Sequence, residues 1–190
     1  VTRRRESYAE RRERYAAVDD PAVVLEAAAR FLEVRPRSVA EVRRRLTSAG
    51  YRADLVEGAI DRMGDLGVLD DEAFARAWVE SRDRARPRGE RALREELRLK
   101  GIDREVADRV LREREDAAPA SDSGPDRPAA ERLIAKHART LERIADPRRR
   151  RERAYALLAR NGFDPEICRD VAAAVVDRGI DGDLDAGGAG

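Results

Sequence analysis

Apolar residues in this 190-residue chain recur in one spacing that appears three times, each time around a glycine. Gly50, Gly101 and Gly162 mark the register. Four residues before each stands Leu46, Leu97 or Leu158, and one residue after stands Tyr51, Ile102 or Phe163. Five and six residues after come Leu55 and Val56, Val106 and Ala107, and Ile167 and Cys168. Nine and ten residues after come Ala59 and Ile60, Val110 and Leu111, and Val171 and Ala172. Apolar positions at i, i+1, i+4 and i+5 form one face of a helix. Each glycine belongs just past a helix end, where a left-handed backbone suits it.

Helix starts are marked independently. Ser38 and Glu41 form a capping box, in which hydroxyl and carboxylate satisfy orphan amides. Asp146-Pro147 and Asp164-Pro165 place a capping carboxylate before proline at the first helical position, and Asp103 fills the same slot after Gly101. The matching residue after Gly50 is Arg52, a poor cap. Each repeat needs one more helix in front, expected at about residues 22–34, 72–85 and 129–145.

The resulting fold class is all-α, with three tandem three-helix, helix-turn-helix-like repeats in an elongated, curved array. Repeat one is expected over 21–69, repeat two over 70–115 and repeat three over 129–178. A linker rich in Ala, Ser, Pro, Gly and Asp covers 116–128. Residues 1–20 read as a mobile basic extension, with helix formers but little apolar face so that some helix there stays open, and 179–190 as a disordered tail. Units this small bury too little surface to stand alone, so they are expected to pack in a row.

Composition favours the same picture. Charged residues form 42% of the chain, against roughly 25% in ordinary domains, which disfavours one large core. The net charge of +1 conceals segregation. Segments 30–45, 82–100 and 139–153 each carry net +4, and all span the junction between a first and a second helix. The third helices are acidic, with net −6 over 54–72. Stacked repeats would then present one basic and one acidic edge. A basic stripe attracts phosphate or an acidic protein groove, although a solvated, internally paired helix face is the plainer reading of any single cluster. The candidate filament- or DNA-binding residues are Arg35, Arg37, Arg43, Arg44, Arg45, Arg82, Arg84, Arg86, Arg88, Lys100, Arg148, Arg149, Arg150 and Arg151.

Candidate chemistry is sparse. No phosphate-cradling Gly-rich loop with its lysine occurs, and no nucleophile constellation stands out. Cys168 is the only cysteine and His137 the only histidine. Cys168 aligns with Val56 and Ala107 and is expected in the core, and His137 is expected to pack or face solvent. Asp70, Asp71 and Glu72 favour a helix dipole more than a cation, and Phe74 and Trp78 read as core. No catalytic residue, metal or cofactor is expected. No apolar run reaches the roughly 18 residues of a membrane span, and the opening residues lack a signal-peptide core. A cytoplasmic protein is the expectation.

The run Leu66-Gly67-Val68-Leu69-Asp70-Asp71-Glu72-Ala73-Phe74-Ala75 resembles the Gly-Tyr-Leu-Asp-Asp and Phe-Ala signature of the RecX family. Arg82, Gly89, Glu96-Leu97 and Lys100-Gly101-Ile102 are similar to its later motifs, and Ser38, Glu41 and Leu46 to its opening. The resemblance spans about residues 22–178. Val68 stands where tyrosine is usual, and the Pro-Arg-Gly turn at 87–89 is only similar. The resemblance implies a monomeric, non-enzymatic regulator that binds RecA and its filament on DNA. It implies restraint of ATPase and strand exchange in DNA repair, recombination and the SOS response, with weak non-specific DNA binding. The competing reading is a helix-turn-helix DNA-binding protein, with Arg43 to Arg45 entering a groove.

Overall fold

The computed structural model describes residues 7–118 and 124–184, with side-chain surroundings described to residue 176. Among them are ten helices and no strand: α1 (Tyr8–Ala16), α2 (Pro21–Glu33), α3 (Val39–Ala49), α4 (Ala53–Asp65), α5 (Asp71–Ala85), α6 (Glu90–Leu99), α7 (Arg104–Asp116), α8 (Asp126–Glu142), α9 (Pro147–Arg160) and α10 (Pro165–Leu184). After α1 they form three successive triples, α2–α4, α5–α7 and α8–α10. The second and third helices of each triple meet at Gly50, Gly101 or Gly162, all with positive φ.

Local signals explain most boundaries. Ser38 caps α3 through a complete capping box with Glu41. Asp146 accepts from the Arg148 amide ahead of α9, Asp103 from Glu105, and Asp164 from Glu166. Arg52 makes no side-chain cap, and α4 begins without one. The apolar face placed around the glycines is buried in every triple: Leu46, Val56, Ala59 and Ile60; Leu97, Ala107, Val110 and Leu111; Leu158, Cys168, Val171 and Ala172.

Three boundaries differ from the sequence expectation. Within the extension expected to be mobile, residues 8–16 are helical. A Ser7–Glu10 capping box starts α1, the Tyr8 hydroxyl donates to the Ser48 carbonyl (3.3 Å), and the Tyr15 ring packs at a tilt on Tyr51, centroids 4.7 Å apart. Two tyrosines thus supply an apolar face too sparse to register as a periodicity. Helix α8 begins at Asp126, inside the expected linker, because tertiary partners hold Asp126 there. Helix α10 continues to Leu184, into the expected tail. The remaining parts of these segments, residues 1–6, 119–123 and 185–190, lie outside the described residues.

By packing, the described residues divide into two units, those up to 75 with 98–106, and 76–97 with those from 107 onward. The first has its core in Val24, Ala28, Val42, Leu46, Tyr51, Val56 and their neighbours. The second centres on Ala129, Ala130, Leu133, Leu158, Phe163 and Val171.

Each unit contains one joint between successive repeats, and the two joints share a design. In the first unit, buried Ser38 donates through Oγ to the Lys100 carbonyl at 2.6 Å, while the Val39 amide donates to Asp71 at 2.9 Å. In the second, the Gly89 amide donates to the Asn161 carbonyl at 3.0 Å, while the Glu90 amide donates to Asp126 at 2.8 Å. Ser38 and Gly89 stand twelve residues before their repeat glycines, and Lys100 and Asn161 one residue before the next. The orphan amides at a helix start are therefore satisfied by the following repeat. Contact is close. A Cβ on Gly101 would lie 2.3 Å from the Ala40 Cβ, and one on Gly162 would lie 2.5 Å from Ala92. Gly50, the remaining glycine of the series, is pressed by Arg12 of α1, whose carbonyl would sit 2.9 Å from a Cβ there. Helix α1 thus takes, on repeat one, the place that a preceding second helix takes on repeats two and three.

Candidate interaction surface

The cationic segments follow from helix geometry. At about 100° per residue, three consecutive arginines after buried Val42 cannot all face the core, and Arg43, Arg44 and Arg45 are exposed. What distinguishes the candidate arginines is how firmly the fold already holds them.

In the first unit, Glu41 draws together Arg35 (3.2 Å) and Lys100 (2.8 Å). Burial raises the Glu41 carboxyl, but the hydrogen bonds and charges of Lys100 and Arg35 outweigh it and hold the group below its ordinary range. Arg43 makes a bidentate pair with Glu57, both bonds 2.7 Å long. Arg37 lies over the Phe31 ring at 4.2 Å and Arg45 at 5.7 Å. Arg44 has no side-chain partner among the described residues and lines a groove with Ala40, Thr47, Arg98 and Leu99.

In the second unit, Glu96 is the hub. It accepts from Arg82 (2.5 Å) and from the Trp78 indole (2.9 Å) and forms an ion pair with Arg88 (3.3 Å), while Arg82 also lies over the Trp78 ring at 4.1 Å. Arg88 reaches further to the Asn161 side chain. Arg84, Arg148 and Arg149 make exposed local pairs with Glu80, Glu152 and Asp146, of the kind that contributes little and is readily exchanged. Arg150 donates to the Ile144 carbonyl. Arg86 and Arg151 are exposed with no side-chain partner among the described residues.

Beyond Arg37 and Arg45 over the Phe31 ring and Arg150 on the Ile144 carbonyl, the candidates separate into two groups. Arg82, Arg88 and Lys100 are tied into the fold, as are Arg35 and Arg43 in part. Arg44, Arg84, Arg86, Arg148, Arg149 and Arg151 present charge that a partner can take. Long-range acids settle this division: Glu57 for Arg43, Glu96 for Arg82 and Arg88. Arg114, outside the candidate set, is deeply held, clamped between Asp83 (2.8 Å) and Asp126 (2.7 Å) with 9% of its side chain exposed.

The residues set aside for chemistry have structural partners. Cys168 is buried, and burial pushes its thiol up. The His137 ring is 2.9 Å from the Leu133 carbonyl. Asp70 accepts from the Glu72 and Ala73 amides at the start of α5. Among the described residues no group of three His, Cys, Asp or Glu side chains is arranged to hold a metal ion. No described helix is long and apolar enough to cross a membrane.

Comparison with known proteins decides the family. Residues 25–63 match the model of the first three-helix domain of RecX, and residues 70–111 match that of the second. The chain is 36% identical over 151 residues to the Regulatory protein RecX of Mycolicibacterium vanbaalenii, covering 76% of this chain and 78% of that protein. The chain belongs to the RecX family. The RecX of Mycolicibacterium smegmatis is 35% identical over 147 residues, with 76% and 74% of the two chains covered. The fold is similar to the crystal structure of RecX from Lactobacillus salivarius, with a TM-score of 0.68 at 22% identity over 83% of this chain and 97% of that one. For this RecX-family chain, the two matched domains contain every candidate residue from Arg35 to Lys100.

Proposed function

We propose that this protein binds RecA and RecA–DNA filaments and, mainly by inhibition, modulates ATP turnover and strand exchange during DNA repair and the SOS response in the cytoplasm. Membership of a family of regulatory proteins supports the role. The observation that carries the binding mode is the set of exposed, unpaired or locally paired arginines at the first-to-second helix junction of every repeat: Arg44; Arg84 and Arg86; Arg148, Arg149 and Arg151. Each unit thus carries its own cationic patch, fit to meet acidic groups or phosphates along a filament groove.

A sequence-specific helix-turn-helix factor fits less well. The helix after the glycine turn would enter the major groove. In repeat one that helix, α4, exposes Asp54, Glu57 and Asp61, the first two already paired with Arg52 and Arg43, while Arg43 to Arg45 stand on the helix before it. Co-sedimentation with RecA filaments assembled on single-stranded DNA, beside the same DNA alone and an unrelated duplex, tests the proposal. It requires retention by the filament well above retention by either DNA. Equal retention on all three, or discrimination among duplexes without RecA, contradicts it.

A further inference from the structure

The repeat register exposes a substitution that turns an ion pair into an open basic groove. Seven residues before the repeat glycine stand Arg43, Arg94 and Tyr155, and seven residues after it stand Glu57, Asp108 and Arg169. In repeats one and two these positions pair across the second and third helices: Arg43 with Glu57 at 2.7 Å, and Arg94 with Asp108 at 3.1 Å. In repeat three the arginine is replaced by an aromatic ring and the acid by an arginine. The pair is gone, and Tyr155 and Arg169 instead line a groove of about 390 Å³ together with Arg148, Arg151 and Glu152.

The other two arginines mark the same departure. Arg151 and Arg148 stand eleven and fourteen residues before Gly162. The matching residues at the eleventh position are Val39 and Glu90, whose amides the following repeat covers, and at the fourteenth Pro36 and Pro87. Arg148, Arg151 and Arg169 are all exposed. Glu152 is the one acid in the groove and contacts only the outermost arginine, Arg148, at 3.4 Å. Tyr155 is half-buried, its body packed on the repeat-three core.

We infer that this groove binds single-stranded nucleic acid, with Arg151 and Arg169 on backbone phosphates and the Tyr155 ring as a stacking surface for one base. A flat ring flanked by guanidinium groups is the arrangement that suits a single strand, because every base has a π-face and the phosphates need only positive charge. Duplex DNA offers no unstacked base to the ring. An acidic protein segment would satisfy the arginines and leave the ring without a role.

The test uses the full chain without RecA, so that it stands or fails apart from the proposed regulation. Fluorescence anisotropy follows binding to a labelled oligo-dT of about twenty nucleotides and to an abasic oligomer of equal length. Tyr155→Leu keeps an apolar body and removes the ring, and is expected to weaken oligo-dT binding about fivefold to a hundredfold while leaving the abasic oligomer unchanged. Tyr155→Phe retains binding. Arg169→Glu, which reinstates the acid of the other repeats, weakens both ligands. Removing Arg151 or Arg169 lowers the slope of log affinity against log salt by about 0.7 each. Helicity and melting confirm folding. If Tyr155→Leu unfolds, the exposed arginine variants carry the test. Oligo-dT binding unchanged in folded Arg151→Ala and Arg169→Glu variants overturns the inference, as does loss of binding to a poly-glutamate peptide alone.

Discussion

The Gly89 amide donates to the carbonyl of Asn161 in the same place where the Ser38 hydroxyl donates to the carbonyl of Lys100. One repeat seals the helix start of the one before it, by a backbone donor in one joint and a side-chain donor in the other. That relationship makes the joints, more than the separate triples, the sensitive points of the fold.

Glycine substitutions test the joints directly. Gly162→Ala meets both a left-handed backbone (φ 81°) and the Ala92 amide 2.5 Å away. It is expected to lose about 2–4 kcal/mol. Gly89→Ala would set a Cβ 2.3 Å from the Gly162 carbonyl oxygen and is expected to lose about 1–3 kcal/mol. Gly58→Ala in α4, with open space around it, should gain up to about 1 kcal/mol. Denaturant unfolding of the three variants reads the contrast, and equal effects would remove the joint from the account.

The sign of the pH response is set at the first joint. The folded Glu41 carboxyl is held below its ordinary value, so its contribution is present above that value and is lost as pH falls through the lowered one. Asp71 acts oppositely. Burial raises its carboxyl, partly offset by the Val39 amide, so protonation there favours the folded state as pH falls. Glu41→Gln should cost about 1–2 kcal/mol at neutral pH and flatten the acid limb of melting temperature against pH. Asp71→Asn should steepen that limb, since the opposing contribution is removed.

How firmly an arginine is held predicts what its loss does. Arg114→Ala leaves Asp83 and Asp126 without their shared cation and should cost about 3–5 kcal/mol. Arg82→Ala should destabilise, because Glu96 and the Trp78 ring lose their partner. Arg44→Glu and Arg86→Glu should leave the melting temperature within a few degrees of wild type and weaken filament binding, with the loss shrinking as salt rises. Filament binding equal to wild type in both folded reversals would place the binding face elsewhere.

The buried thiol gives a simple probe of the third repeat. Cys168 is fully buried, with its Sγ 3.6 Å from the Phe163 carbonyl and its thiol pushed up by burial. Thiol labelling should be negligible in the native protein and complete on unfolding. Rapid native labelling would contradict the core packed around it.

What the sequence makes legible is local. The glycine register, the Ser38–Glu41 box and the aspartate caps at 103, 146 and 164 depend on neighbours within a few residues, and each appears where expected. Partners chosen across repeats do not show that way. Asp71 reads as an ordinary acid at a helix start, and Asp126 as part of a linker, until the preceding repeat's amides reach them. Arg82 and Arg88 look as available as Arg84 and Arg86, and only the folding of α6 against α5 brings Glu96 to two of the four. Tyr155 and Arg169 were open to inspection through the register. They stand seven residues either side of Gly162, where Arg43 with Glu57 and Arg94 with Asp108 hold pairs.

The most direct measurement is RecA-catalysed ATP hydrolysis on single-stranded DNA, titrated with this protein and with a folded variant in which Arg44, Arg86 and Arg151 are reversed to Glu. The wild-type chain is expected to lower steady-state hydrolysis in a dose- and salt-dependent way, and the triple reversal to need a markedly higher concentration for the same effect. Hydrolysis unaffected by the wild-type chain at saturating concentration would rule out the proposed regulation.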